Sequence, residues 1–252
     1  MKQSLCNIQS SLPEDIALKI ASLLEEPEVC ALGCCSRFWR NLCGSDCIWE
    51  FLTRQRWPLL LSGSSESSAQ NSGPTSEGWK GFYMKRHNEM AHGATDVVKY
   101  VEQCMRSYSV EVGDYLQAIE DLNLMQLGFK DVQMFLFKPK LNVLLNLVGL
   151  HYCIFWLNVP PEYVLEALHS CKISDRQLCV KWWKLGRWFY GFRMRDESHS
   201  RLVSLADLAT AKEEEVLGVL HRGAIHEVLR VQISFVNSSH TPWSCQSTQG
   251  QD

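Results

Sequence analysis

What this 252-residue chain lacks narrows its function before any motif is read. It has no large excess of charge of either sign, since 25 Lys and Arg stand against 28 Asp and Glu for a formal net charge of −3. That balance argues against a protein that coats nucleic acid globally, while leaving room for a local basic patch. The sequence has no Gly-rich phosphate loop, no nucleophile elbow and no metal-ligand spacing, so a non-catalytic protein without a cofactor is expected. A catalytic set dispersed through the fold would leave no such trace. Residues 1–10 lack a charged region followed by a long apolar run, and they do not resemble a mitochondrial presequence. Cytoplasmic or nuclear residence is therefore expected. Leucine-rich, WD-type and kelch-type periodicities are also missing, which withholds the usual clue to what a binding domain would hold.

An even cysteine framework is absent too. The eleven cysteines are an odd number without compact spacing, which fits a reducing compartment better than a disulfide scaffold. Most are expected to be small buried hydrophobes. Cys30, Cys34, Cys43 and Cys47 form two i, i+4 pairs that could in principle bind zinc. Zinc sites typically use closer pairs on a loop or knuckle, and these four interleave with apolar helix positions, so they are expected to pack and not to ligate.

What is there begins with Ser11–Trp57, a succession of short amphipathic helix candidates joined by tight breaks. Ser11 with Glu14 fits a capping box, and Pro13 suits a first turn. Ile16, Ile20, Leu23 and Leu24 fall at i, i+4, i+7 and i+8, which predicts one apolar face on a three-turn helix. Pro27 stops that helix and opens a second carrying Val29 and Leu32, which Gly33 is expected to end. Ser36 can cap a third helix with Phe38, Trp39 and Leu42 on its apolar face and Gly44 at its close. Asp46 then introduces Ile48, Trp49, Phe51 and Leu52, and Pro58 terminates the set. A unit of about fifty residues in such short helices has a small core and usually leans on a partner.

Leu12-Pro13, the apolar positions Ile20, Leu24, Val29 and Leu32, the Cys35-Ser36-Arg37-Phe38-Trp39-Arg40 run, Leu42, Trp49 and Arg56-Trp57 together resemble an F-box, in the family's order and spacing. Cys35 stands where many members carry valine. The resemblance implies docking onto the Skp-type adaptor of an SCF ubiquitin ligase, and through it onto cullin and RING subunits, with the rest of the chain selecting a protein substrate. The adaptor-binding residues it implies are Leu12, Pro13, Ile16, Ile20, Leu24, Val29, Leu32, Cys35, Ser36, Arg37, Trp39, Leu42 and Trp49. With no recognisable repeat domain, the organisation looks most like small plant F-box proteins.

Residues 62–78 are rich in Ser and Gly without apolar periodicity and read as a flexible insertion. Trp79, Phe82, Tyr83 and Arg86 then sit at i, i+3, i+4 and i+7, resembling the helix that often follows an F-box, so the domain 11–57 is expected to extend over a helix at 79–90. An interaction domain is expected over 92–236 and a disordered tail over 237–252.

Within 92–236, Thr95 can cap a helix marked by Val97, Val98, Val101, Cys104 and Met105, and Tyr115, Leu116, Ile119 and Leu122 mark another. Leu124–Phe129 faintly resembles a ubiquitin-associated-domain loop, but a Gly-Phe turn between helices, with Gly as stop, is the expected reading. Lys140–Pro161 passes nineteen residues or so without a charge. Asn142, Asn146, His151 and Asn158 would each be costly in hydrocarbon, and no flanking basic cluster exists, so no membrane is expected among its partners. A central soluble helix is expected instead, with Leu141, Leu144, Leu145, Val148, Tyr152 and Phe155 on its broad face. Asn142, Asn146, Gly149 and Cys153 would form a small-residue stripe for close approach, and the asparagines would need hydrogen-bond partners.

Pro160-Pro161 restarts the chain into a helix carrying Val164, Leu165 and Leu168, with His169 exposed. Ser174 and Gln177 read as a capping box for a further helix with Leu178, Trp182 and Leu185. From Trp188 the period changes towards 2, and strands are expected over 188–195, 201–205 and 227–235, with a helix over 212–220. The fold class is mainly α, with a small C-terminal antiparallel sheet. Between Lys181 and Arg195, basic residues interleave with aromatics. That pattern can grip single-stranded nucleic acid, but it is also what a helix and a half-buried strand need for their core, with basic side chains snorkelling at the edges. Nucleic acid is not the expected partner. Trp182, Trp183, Arg187, Tyr190 and Arg193 are the candidate substrate-binding residues. The competing function is a nucleic-acid or general interaction module whose F-box controls its own turnover or assembly.

Overall fold

The computed structural model describes residues 12–58, 78–105, 108–224 and 227–235. The Ser11 cap, the insertion up to residue 77 and the tail from 236 onward lie outside them. The chain divides into two compact units, Met1–His92 and Gly93–Asp252.

In the first unit, α1 (Glu14–Ser22), α2 (Glu26–Cys35), α3 (Arg37–Cys43) and α4 (Asp46–Arg56) follow one another with breaks of one to three residues. Pro13 occupies the N-cap position of α1 with extended backbone. Contrary to the expected core face, α1 turns Ala17 and Ala21 inward, both fully buried, and leaves Ile16, Ile20 and Leu23 at 50%, 40% and 80% exposure. The periodicity located an apolar stripe correctly but not its direction. Small alanines bring the α1 backbone close to α3 and α4, which it contacts, and the large side chains then have nowhere to go but out. Gly33 does not end α2, which continues to Cys35. The stop comes from Ser36, whose extended backbone and Oγ, accepting from Trp39 N at 3.3 Å, start α3.

The buried centre of this unit is aromatic. Trp49 donates from Nε1 to Cys43 O at 2.7 Å and meets the Tyr83 ring edge-on at 5.2 Å. Tyr83 belongs to α5 (Gly78–Cys104), which runs unbroken past Thr95, so that threonine is a mid-helix residue and caps nothing. The cysteines are not core residues here. Cys30, Cys34, Cys35 and Cys47 are exposed and only Cys43 is buried, where α2 packs on α3 with Gly33 against Cys43. No group of three metal-binding side chains occurs among the described residues.

The second unit is built on α8 (Val143–Phe155), in which every residue from Val143 to Cys153 is buried. Around it lie α6 (Val112–Leu124), α7 (Phe129–Phe135), α9 (Pro161–Ser170) and α10 (Leu205–Ala209), together with strands β2 (Gln177–Lys184) and β6 (Val228–Phe235), all in contact with α8. The small-residue stripe does allow close approach. A Cβ on Gly149 would stand 3.0 Å from Val132 Cγ1 and 3.1 Å from Leu136 Cβ. Asn142 caps α8, its Oδ1 accepting from Leu144 N at 3.0 Å. Buried Asn146 donates to Leu136 O at 2.6 Å and accepts from Arg176 Nη1. No described helix is long and apolar enough to cross a membrane.

The sheet order is β1-β6-β2-β5, antiparallel throughout, with β1 (Ser109–Glu111) and β5 (Glu197–Ser204) at the edges. Three expectations change, the first being that 188–195 is not one strand of this sheet but a separate hairpin, Trp188–Phe189 paired with Phe192–Arg193, because Tyr190 and Gly191 take positive φ and turn the chain. The Ser174/Gln177 helix is strand β2, whose Leu178, Val180 and Trp182 are buried in alternation. Pairing with strands on both sides overrides a capping signal that reads only local sequence. Ser109–Glu111, unread as a strand, is recruited by β6. The turn at Leu124–Phe129 is real, but Gln126 takes the left-handed conformation (φ 54°), while Gly128 caps the start of α7. The helix expected at 212–220 is α11 (Glu214–Arg222), and His169 is exposed.

Candidate functional site

Two surfaces stand out, one in each unit. In the first, the sequence-derived set separates by burial. Val29, Leu42 and Trp49 are buried and frame the helices. Leu12, Leu24, Leu32, Ser36 and Trp39 are half-buried, while Pro13, Ile16, Ile20, Cys35 and Arg37 are exposed. Only the exposed and half-buried members can touch a partner directly. Leu23, first assigned to the core, joins Ile16 and Ile20 on the outward face of α1 at i, i+4 and i+7.

Arg56 holds this arrangement rigid. Its side chain is 2% exposed, and its guanidinium donates to Tyr83 Oη at 2.6 Å and Glu26 Oε1 at 3.2 Å and lies 3.1 Å from His87 Nδ1. It also sits 4.8 Å from the Trp57 ring centroid. One buried cation thus ties α2, α4 and α5 together. Burial pushes the Tyr83 phenol up to about 12, against the opposing influence of Arg56. Periodicity gave no hint of a buried arginine; an arginine beside Trp57 in the F-box-like run was the only signal.

In the second unit the five candidate substrate-binding residues do not form one group. Trp182 is fully buried and stacks on His199 with centroids 5.5 Å apart, so it is a core residue and no surface anchor. Its successor Trp183 points to the opposite face of the sheet, between Lys181 Nζ at 4.9 Å and Arg230 Cζ at 5.1 Å. Arg230 is itself paired with Glu111 across the sheet. Arg187, Tyr190 and Arg193 do come together, on a hairpin formed by β3 (Trp188–Phe189) and β4 (Phe192–Arg193). The expectation that these aromatics fill a core is overturned there: Trp188, Phe189, Tyr190 and Phe192 are 63–88% exposed.

A third cluster is chemically suggestive but structural. Tyr115 Oη lies 2.8 Å from His151 Nδ1, and His151 Nε2 lies 3.4 Å from His221 Nδ1. Burial, reinforced by His221, lowers the His151 imidazole to about 3, so it is neutral and hydrogen-bonding at neutral pH.

Residues 9–55 match a family model described as F-box-like. No curated protein and no solved structure matches the chain. The matched segment coincides with α1–α4, whose alanine-packed first helix leaves its large apolar residues outward: this chain carries an F-box-like domain.

Proposed function

We propose that this chain is a substrate-recognition subunit of an SCF-type ubiquitin ligase. Its F-box-like domain docks onto a Skp-type adaptor, and its second unit holds a protein target, with Trp183, Arg187, Tyr190 and Arg193 as candidate contacts. The observation that carries the reading is the F-box-like match over 9–55 together with the outward apolar face of α1 within it. Exposed Ile and Leu on one helix face are costly in water and are matched by a groove or helix face on a partner.

The contribution of such a subunit is proximity and not chemistry: it raises the local concentration of a target beside a charged conjugating enzyme. Leu12, Pro13, Ile16, Ile20, Leu24, Leu32, Cys35, Ser36, Arg37 and Trp39 would supply the adaptor contacts, while Val29, Leu42 and Trp49 would hold the helices that present them. Residence in cytoplasm or nucleus, where the adaptor and cullin act, belongs to the same proposal.

Co-purification with the Skp-type adaptor tests it. The wild type is expected to bind, and a Leu12→Ala, Pro13→Ala double variant to bind less. Equal binding by both, or binding by neither, overturns the proposal.

A further inference from the structure

The segment Leu185–Arg195 contains three arginines, no carboxylate, and six large apolar residues in eleven positions. In a chain whose net charge is −3, this is a concentrated basic and aromatic patch, and the structure gives it a definite shape. Trp188 pairs with Arg193 and Phe189 with Phe192 across a two-residue turn. Tyr190 and Gly191, at φ 47° and 82°, supply the two positive φ values that a tight hairpin of this hand requires.

The neck is built, not incidental. Gly186 N donates to Asp196 Oδ1 at 2.9 Å, Arg193 Nη2 donates to the same oxygen at 2.8 Å, and Met194 N donates to Arg187 O at 2.9 Å. A Cβ on Gly186 would stand 2.0 Å from Met194 O, so the two strands meet there as closely as backbone allows. Asp196 is held below the usual carboxylate range by the Gly186 N–H and then by Arg193.

Cross-strand pairs share a face of a hairpin. Phe189 and Phe192 therefore lie on one face and Trp188 on the other, with Tyr190 at the tip, and Trp188, Phe189, Tyr190, Phe192 and Met194 are 59–88% exposed. Both faces and the tip thus carry exposed aromatic side chains, with Arg193 beside Trp188 on the second face. A bound peptide strand or a stacked base covers one face of such a hairpin, whereas a lipid interface surrounds it. Two residues of strand plus the turn project by about 10 Å, close to the depth that interfacial segments reach. Arg187, Arg193 and Arg195 lie among or just behind the aromatics, at the level where headgroup phosphates and carboxylates would stand. The nearby carboxylates that could oppose this are Asp196, already bonded to Arg193, Glu197, which lies 3.5 Å from His199 Nε2, and Glu227, which lies 3.5 Å from Arg187. Arg195 has no salt bridge among the described residues.

We propose that the β3–β4 hairpin is a peripheral membrane-contact element that inserts its aromatic tip into the interface of an anionic bilayer, with Arg187 and Arg195 against the lipid headgroups. Trp and Tyr favour that interface, and basic side chains add attraction to anionic lipid. This is contact with a surface and needs no spanning segment. It is independent of adaptor docking, which uses the other unit, but it takes Arg187, Tyr190 and Arg193 out of the candidate target contacts and leaves Trp183, on strand β2, for that role.

The test is co-sedimentation of the full-length chain with vesicles of phosphatidylcholine containing roughly 30% phosphatidylserine, against phosphatidylcholine alone. The wild type is expected to bind the anionic vesicles selectively. Trp188→Ser with Phe192→Ser is expected to weaken binding about tenfold or more, as is Arg187→Gln with Arg195→Gln, with circular dichroism and melting unchanged because none of these side chains is in the core. Brominated lipid is expected to quench tryptophan emission in the wild type and much less in Trp188→Phe. Absence of anionic-vesicle binding overturns the proposal, and so does binding indifferent to the Trp188/Phe192 pair. Adsorption without quenching overturns insertion. Hairpin-dependent binding to a glutamate–tyrosine copolymer or a single-stranded oligonucleotide, without vesicle binding, would reassign the element to an acidic polypeptide or to nucleic acid.

Discussion

Replacing Ile16 and Ile20 together by glutamine separates the two directions in which α1 could face. Both side chains are about half exposed, so roughly half of each apolar surface remains to be buried by a partner. Full burial of an isoleucine contributes about 1.5–3 kcal/mol, so the exposed halves are worth about 1 kcal/mol each and about 2 kcal/mol together. That corresponds to about a 30-fold loss of adaptor affinity. Folding should barely respond, because glutamine keeps the aliphatic stem over the part already covered and is at least as good a helix former as isoleucine. A net change within about 1 kcal/mol is expected. The assay is calorimetric titration of the purified chain with the Skp-type adaptor, beside urea unfolding of each variant. Ala17→Gln, on the fully buried face, provides the opposite control and is expected to unfold the unit. If the isoleucine pair instead unfolds the protein, or leaves adaptor affinity unchanged, the outward orientation of α1 or its role in docking is wrong.

Arg56→Met should cost about 3 kcal/mol, since it removes the cation facing Glu26 and the donor to Tyr83; a loss below about 1 kcal/mol in urea unfolding would show that the buried cation is not structural. Gly149→Ala forces a methyl to about 3 Å from both α7 and its exit and should destabilise by about 1–3 kcal/mol, read as a lowered melting temperature. The depressed His151 pKa sets a pH dependence. The folded imidazole stays neutral down to about 3 while the unfolded one takes up a proton near its ordinary value of about 6.5. Its contribution is therefore complete above that value and falls by up to about 1.4 kcal/mol per pH unit below it. The difference in unfolding free energy between wild type and His151→Gln should shrink accordingly between neutral and acid pH; a constant difference would refute the assignment.

By itself the sequence determined the nature of the first unit, because an F-box-like run is written in consecutive residues: Ser36 as a cap, Gly44 as a close, Trp49 as a core aromatic. It also determined the central helix α8, whose buried Asn146 and Gly149 contact follow from periodicity and residue size, and the antiparallel sheet near the C-terminus, whereas Asn142, read as part of the helical stripe, is the N-cap that precedes it. These features rest on short-range spacing, which a sequence states directly. Tertiary structure decided the rest. It turned Ile16, Ile20 and Leu23 outward, since direction depends on what α1 packs against and not on its own period. It made Gln177–Lys184 a strand, since its ladder partners in β5 and β6 lie far along the chain, as Lys184 with Glu197 and Leu178 with Phe235 show. It placed Trp182 in the core and Trp188, Phe189, Tyr190 and Phe192 in solvent, although all belong to one aromatic run. Burial is a property of neighbours in space, and a run of tryptophans and arginines carries no record of which neighbours it will have.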